Sequence, residues 1–164
     1  FRDYDFLKHL INNLPEINFN LVTTQINESE LNFKNFNLFK GNWGAPILTD
    51  EELSDLYSKS LLTIIPLKES LQPSGQSVAL QSIACGTPVV ITKTEGFWDT
   101  NSFKNNKNIF FVNSNNLDDW IFTINQIKNF SISEIRDLNI EMKKVITNYE
   151  LDRFNLALDK VLNI

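Results

Sequence analysis

Three polar side chains recur at helical spacing in one segment, residues 72–92, which reads QPSGQSVALQSIACGTPVVIT. Ser74, Ser77 and Gln81 stand three, four and seven residues apart, which places them on one stripe of a helix. A helix that begins here has free backbone N–H groups at its positive end, and such an end attracts anions. Hydroxyl and amide side chains beside it can bind the hydroxyls of a ligand whose phosphates lie on those N–H groups. An ordinary surface helix with a solvated polar face is the alternative that this spacing leaves open.

The residues around this stripe predict a loop, a short helix and a buried strand. Pro73 and Gly75 interrupt regular structure before the helix, because proline lacks an N–H group and glycine tolerates a positive φ. Ser74 is then the expected N-cap, and Gly86 with Pro88 ends the helix. The free N–H groups are those of Gln76, Ser77 and Val78. The predicted apolar, core-facing side chains are those of Ala79, Leu80, Ile83 and Ala84.

The rest of the chain alternates between predicted strands and predicted helices. Apolar runs predict strands at residues 19–23, 35–40, 61–65, 89–92 and 109–112. Helical patterns occur at residues 3–13, after a capping box formed by Thr49 and Glu52, after Asn115 or Asn116, and after Ser131. A last helix would turn Leu151, Phe154, Leu158 and Val161 inward. This alternation predicts one α/β domain over residues 1–164, built on a doubly wound parallel sheet.

Composition and charge exclude several classes of function. The chain has 164 residues and a formal net charge of −5, which argues against nucleic acid or an anionic membrane as the main partner. A single cysteine excludes an intramolecular disulfide, and with a single histidine it leaves no cluster of metal ligands. No signal peptide or membrane-spanning run is present, so we expect a cytoplasmic location. Peripheral attachment of the full-length protein at the inner membrane face is an alternative that the sequence leaves open.

The segment from residue 73 to residue 90, PSGQSVALQSIACGTPVV, resembles the donor-binding segment of retaining GT-B glycosyltransferases. These are the sugar-nucleotide-dependent enzymes of group 1, or family 4-like. The family has a glutamate, then Pro-Phe-Gly or a similar turn, then a second glutamate followed by Ala-Met-Ala-Cys-Gly-x-Pro-Val. Residues 83–90 match its last part closely. Residues 48–70, LTDEELSDLYSKSLLTIIPLKES, are similar to the helix and strand that precede this loop in the family.

Both glutamate positions of the family pattern are neutral in this chain. Gln81 stands where the family has the glutamate that holds the ribose hydroxyls. The first glutamate falls on Pro73, or on Gln72 if one extra residue is allowed. An amide still binds hydroxyls, so the resemblance implies that donor binding survives, whereas a role that needs a carboxylate charge near the sugar is lost.

The resemblance implies the C-terminal, Rossmann-like half of a two-domain enzyme. Such an enzyme transfers a sugar from a UDP-, GDP- or ADP-sugar to a saccharide or lipid acceptor, as in polysaccharide biosynthesis, with retention and without a cofactor or metal. The acceptor-binding domain would be an N-terminal domain of the same chain. The sequence begins without methionine and just before a predicted helix, so we expect an inactive fragment whose first strand is missing. A degenerate, non-catalytic sugar-nucleotide-binding module and a GT-B sugar-nucleotide epimerase are the alternatives.

The resemblance also implies which residues hold the donor. The principal contacts would come from Ser74, Gly75, Gln76, Ser77, Val78 and Gln81. Arg2 is a candidate for the diphosphate or an exposed terminal residue, and Trp43 either stacks on the base or covers an edge of the core. Gln72 lies in the donor loop, and Gly96 lies in a glycine turn on the sugar side. Glu95, Trp98 and Asp99 either meet the sugar or acceptor or carry ordinary surface charge.

Overall fold

The computed structural model describes residues 1–27, 29, 34–41, 47–153 and 155–156, and these residues contain five strands and five named α-helices. The elements are α1 (Tyr4–Asn12), β1 (Phe19–Val22), β2 (Phe36–Phe39), α2 (Asp50–Ser58), β3 (Thr63–Ile65), α3 (Gln76–Ala84), β4 (Val89–Thr92), β5 (Phe110–Val112), α4 (Leu117–Lys128) and α5 (Ile132–Ile146). A 3-10 turn, Thr147–Tyr149, follows α5. The predicted order is confirmed.

All strand pairs in the described residues are parallel, as predicted for an α/β fold. They form two sheets instead of the single sheet that we predicted: β1 pairs with β2, and β4 lies between β3 and β5. Phe19 stands opposite Phe36 in the first sheet, and Val90 lies opposite Phe110 in the second. The sheets are separate because no described strand lies between β1 and β3.

The core lies around β4 and the helices on its two sides. All four residues of β4 are buried, as the apolar run predicts for a central parallel strand. On one side α1 packs against α4, where the ring of Phe6 lies 5.6 Å from that of the buried Trp120. On the other side α3 packs against both α2 and α5. Helices in two groups are the arrangement of a doubly wound fold.

Local capping signals predict most of the helix starts correctly. Thr49 and Ser131 each form a complete capping box, with Glu52 and Glu134. Asn116 caps α4, accepting hydrogen bonds from the amides of residues 118 and 119. The predicted last helix lies mostly outside the described residues, and Leu151, which we predicted to face inward, is 72% exposed.

The predicted core face of α3 is partly wrong. Ala79 and Ile83 are buried as predicted, but Ala84 is exposed and Ser82 is completely buried in its place. The Ser82 hydroxyl lies 2.8 Å from the Thr63 hydroxyl and donates to the backbone carbonyl of Thr87 at 2.9 Å. These hydrogen bonds offset the cost of burying a polar side chain, and they fix α3 to the amino ends of β3 and β4.

Candidate functional site

The amino end of α3 lies directly over the carboxyl ends of two strands. Gly75 is its N-cap residue, with φ +82°, and a Cβ on it would lie 3.0 Å from Ile65 Cγ2 and 3.1 Å from Ile91 Cδ1. The predicted cap by Ser74 is wrong, because the left-handed turn at Gly75 takes the capping position without a side-chain hydrogen bond. In parallel α/β sheets, ligands bind outside the carboxyl ends of strands. The start of α3 therefore occupies that position.

The first N–H groups of α3 have no capping side chain. The first backbone hydrogen bond of the helix runs from the Ala79 N–H to the Gly75 carbonyl, at 2.9 Å. The amides before it belong to Gln76, Ser77 and Val78, and the first two of these residues are exposed. They supply donors at the positive end of the helix dipole, which is the arrangement that binds phosphate groups.

A half-buried arginine lies beside this helix end. The Arg2 Nη1 atom is 3.2 Å from the point that a Cβ on Gly75 would occupy. Burial lowers the pKa of Arg2, an effect that Tyr4 and Tyr57 partly offset, but an arginine stays protonated at neutral pH. In the described part of the chain no carboxylate lies within 4.0 Å of its guanidinium group. A desolvated cation with no counter-ion among the described residues, next to free N–H groups, is a strong sign of an anion site.

Asp3 fixes the position of its neighbour Arg2. Its N–H donates to the Pro66 carbonyl at 2.9 Å, just after β3. One carboxylate oxygen accepts the Phe6 N–H at 3.1 Å and so caps α1, and the other accepts the Asn115 amide at 2.8 Å. The segment that carries Arg2 is therefore held by three separate elements.

Asn115 extends the same network to β4. Its amide group also donates to the Leu67 carbonyl at 3.0 Å, and its carbonyl oxygen accepts the Thr92 hydroxyl at 2.7 Å. Thr92 in turn accepts the Leu67 N–H at 2.9 Å. Sequence reasoning treated Asn115 only as a possible helix cap and missed this role. The sequence did offer one signal for this role. Asn115 and Asn116 are adjacent, and because only one of them can cap α4, the other is available for a different contact.

Gly96 packs against the loop of residues 69–71. Its N–H donates to the Ser70 carbonyl at 3.0 Å, and a Cβ on it would lie 2.5 Å from the backbone carbon and oxygen of Leu71. The neighbouring Glu95 N–H donates to the Glu69 carboxylate at 3.0 Å. Gly96 is buried, and its hydrogen bond to Ser70 shows that it contacts the loop of residues 69–71.

One cavity brings together part of the predicted site. A space of about 540 Å³ is lined by Arg2, Val78 and Gln81, together with Tyr57 of α2. Ser74, Gly75, Gln76 and Ser77 lie at the start of α3 outside this lining, and Ser77 and Gln81 are both exposed, as the polar stripe predicts. Gln72 is exposed in the loop, where its N–H donates to the Ser70 hydroxyl at 3.0 Å. Trp43 lies outside the described residues.

Comparison with solved structures identifies the fold. HepE from Anabaena, crystallised with UDP-glucose, matches with a TM-score of 0.68 at 14% identity, over 99% of this chain and 45% of that one. A glycosyltransferase from Rickettsia africae matches with a TM-score of 0.67 at 19% identity, over 98% of this chain and 45% of that one. The chain has a glycosyltransferase fold. It spans less than half the length of either protein.

Sequence comparison alone detects none of this. No protein-family model matches the chain, and a search of curated proteins found no match. At identities of 14–19% the likeness is carried by the order of strands and helices.

Two kinds of feature are absent from the residues that the structure describes. None of their helices is long and apolar enough to cross a membrane. They also contain no group of three or more histidine, cysteine or acidic side chains arranged to hold a metal ion.

A hydrogen bond anchors the loop after β4 to the end of α5. The Tyr149 hydroxyl donates to the Asp99 carboxylate at 2.7 Å. Desolvation raises the pKa of Asp99, but hydrogen bonds from Ser102, Tyr149 and the Asn101 N–H outweigh it and lower the pKa to about 2, from an ordinary 3.8. Desolvation and the same contact raise the pKa of Tyr149 to about 12, from 10.0. Asp99, a candidate for the sugar or acceptor, is thus engaged with its own chain.

Removing this hydrogen bond should change the pH dependence of stability. The lowered pKa of Asp99 stabilises the fold above pH 3.8 and is lost as the pH falls towards about 2. The raised pKa of Tyr149 stabilises it below pH 10.0 and is lost as the pH rises towards about 12. In Tyr149→Phe, urea unfolding should show lower stability at pH 7 and a weaker loss of stability on acidification. Parallel pH profiles for the two proteins would contradict this assignment.

Proposed function

We propose that the chain is the donor-binding half of a GT-B glycosyltransferase that holds a nucleoside-diphosphate sugar. The observation that carries the proposal is the half-buried Arg2 guanidinium beside the uncapped start of α3. A diphosphate supplies the negative charge that this cation and these N–H groups lack. The structure of HepE with UDP-glucose, which shares the fold, supports this class of ligand.

The proposed chemistry is stabilisation of a leaving group. When the bond between the sugar C1 and the diphosphate oxygen breaks, negative charge develops on the departing diphosphate. Arg2 and the amides at the start of α3 would hold this charge, an electrostatic contribution of the oxyanion-hole kind. The acceptor hydroxyl then forms the new bond to C1 and transfers its proton to an oxygen of the departing diphosphate. The acceptor site would belong to an N-terminal domain, and we propose that the configuration at C1 is retained.

Gln81 is the proposed ribose contact. It lies on the same stripe of α3 as Ser77, and it lines one cavity together with Arg2. Its amide can both donate to and accept from vicinal hydroxyls, so it can replace a glutamate in binding. Gln81→Ala should weaken donor binding about tenfold, equivalent to about 1.4 kcal/mol.

The neutral residues at positions 73 and 81 favour a second candidate, a module that binds the donor without catalysis. The test incubates the natural full-length protein and its Gln81→Glu variant separately with UDP-, GDP- and ADP-sugars. Each incubation also contains a panel of saccharide acceptors. Product formation by the natural protein, with the anomeric configuration read by NMR, supports the transferase. Turnover that appears only in Gln81→Glu identifies a degenerate module. Free nucleoside diphosphate or an isomerised sugar without any acceptor identifies an epimerase.

A further inference from the structure

The Glu69 carboxylate joins the loop after β3 to the loop after β4. Its Oε1 atom accepts the Ser70 N–H at 3.2 Å and the Glu95 N–H at 3.0 Å. A backbone hydrogen bond from the Gly96 N–H to the Ser70 carbonyl, at 3.0 Å, joins the same two loops. Glu69 is exposed, yet these contacts hold its carboxylate in one place.

This carboxylate lies on the same edge of the sheet as the proposed anion site. Glu69 follows β3 and Glu95 follows β4, so both lie beyond the carboxyl ends of two paired parallel strands. The start of α3 lies over the ends of the same two strands. Leu67, which forms an antiparallel bridge with Arg2, precedes Glu69 in the same loop. The chain thus leads from the neighbour of Arg2 directly to this carboxylate.

A nucleoside-diphosphate sugar has two ends, and the structure offers a separate place for each. The cavity that Gln81 lines is bordered by β1 and β3, and no residue of β4 contributes to its lining. Glu69 lies on the other side of β3, because it is hydrogen-bonded to the loop after β4. With the ribose at Gln81, as proposed above, the sugar extends from the diphosphate towards residues 69–71 and 94–96.

The second carboxylate oxygen of Glu69 is available to a ligand. In the described part of the chain, this Oε2 atom accepts no hydrogen bond, and no cationic side chain lies within 4.0 Å of the carboxylate. An ionised carboxylate only accepts hydrogen bonds, so it can bind the hydroxyl groups of a sugar. It repels a second carboxylate, so it disfavours a sugar acid at this position.

We infer that Glu69 binds a hydroxyl of the donor sugar and makes the site selective for neutral sugars over sugar acids. This inference rests on the proposed function, because it needs the diphosphate at Arg2 and the start of α3. The negative charge comes from the loop before α3 and not from positions 73 and 81, which are neutral. The hydrogen bond from the Glu95 N–H fixes where this charge lies.

A comparison of neutral and acidic donors tests this inference in the full-length protein. Calorimetric titration uses three probes for each of uridine, guanosine and adenosine, namely the nucleoside diphosphate, its glucose derivative and its glucuronic acid derivative. The two sugars differ only in that a carboxylate replaces the hydroxymethyl group. For the base whose diphosphate binds, the natural protein should bind the glucose derivative at least about tenfold more tightly than the glucuronic acid derivative.

The variant Glu69→Gln separates the charge from the position of the loop. A glutamine side chain keeps a carbonyl oxygen for the Ser70 and Glu95 N–H groups, so the loop should stay in place. The variant should narrow the preference for the glucose derivative at least about fivefold, with the affinity for the bare diphosphate equal or higher. Glu16 is an exposed residue before the amino end of β1. Glu16→Gln removes the same charge and should keep the full preference.

An equal preference in the natural protein and Glu69→Gln, or a glucuronic acid derivative that binds as tightly as the glucose derivative, would overturn the inference. The proposed function would still stand, because the bare diphosphate binds in both cases. If no diphosphate binds to the natural protein, the proposed function fails and the inference fails with it. If circular dichroism shows that Glu69→Gln does not fold, added salt provides the test in the natural protein. Salt should narrow the preference by screening the repulsion, and a preference that salt leaves unchanged would overturn the inference.

Discussion

Arg2→Ala is expected to weaken the binding of a nucleoside diphosphate by about 30- to 100-fold, or about 2–2.7 kcal/mol. Arg2 lies beside the start of α3 with no carboxylate partner among the described residues, so its charge would be available to the ligand. The same change should leave stability equal or higher, because it removes a desolvated cation that the free protein does not pair. Loss of affinity without loss of stability is the signature of a ligand-binding charge.

Two controls separate this effect from a general change of charge. Arg136 is an exposed arginine on α5, and Arg136→Ala alters the net charge by the same amount. It should leave the affinity unchanged in calorimetric titration. Arg2→Lys keeps the charge but loses the planar fork, so its affinity should fall between those of the natural protein and Arg2→Ala. If Arg2→Ala and Arg136→Ala bind the nucleoside diphosphate with equal affinity, Arg2 does not contribute to the binding site.

Gly96→Ala is expected to lower the free energy of unfolding by about 2–3 kcal/mol and to weaken nucleotide binding as well. The new methyl group would lie 2.5 Å from the backbone carbon and oxygen of Leu71, and 2.7 Å from the Ser70 carbonyl. The nearest atoms are backbone atoms and not the end of a flexible side chain, so the loop of residues 69–71 itself must shift. Urea unfolding and titration of the same samples measure the two effects.

Gly86→Ala is the matched control for this substitution. Gly86 has a φ of +79°, but the nearest atom to an added Cβ is Asn139 Oδ1, at 3.6 Å. It should therefore cost only the backbone strain of a left-handed alanine, about 1 kcal/mol, with no change in affinity. If Gly96→Ala and Gly86→Ala have the same free energy of unfolding, the close contact between Gly96 and the loop of residues 69–71 does not contribute to stability as proposed.

Local signals in the sequence account for most of the fold. Capping boxes at Thr49 and Ser131 depend on residues three apart, so the sequence alone specifies them. The continuous apolar run of β4 likewise predicts its complete burial. The prediction that Ser74 is the cap was wrong because the next residue, Gly75, takes the cap position in a left-handed conformation. A side chain on Gly75 would meet Ile65 and Ile91, which are distant in sequence, so local signals do not reveal this constraint.

The candidate site is less predictable because its parts come from distant residues. Arg2 and Gly75 are 73 positions apart in sequence, and a terminal arginine gives no sign that it will be half-buried beside a helix end. The Asp3–Asn115 hydrogen bond joins residues separated by 112 positions. Sequence patterns identify the helix that could hold a phosphate, whereas the counter-charge and its supports follow only from the packing.

Titration of the chain with UDP, GDP and ADP, each beside its nucleoside, tests the central claim most directly. A site built from Arg2 and the amides of α3 predicts saturable binding of one diphosphate, at least tenfold tighter than binding of the matching nucleoside, about 1.4 kcal/mol. The binding should also weaken as salt is added, because charge supplies most of the affinity. The same titrations should be repeated with the full-length protein, so that both proteins are tested. If neither protein binds any diphosphate, or if the nucleoside binds as tightly, the proposed donor site is wrong.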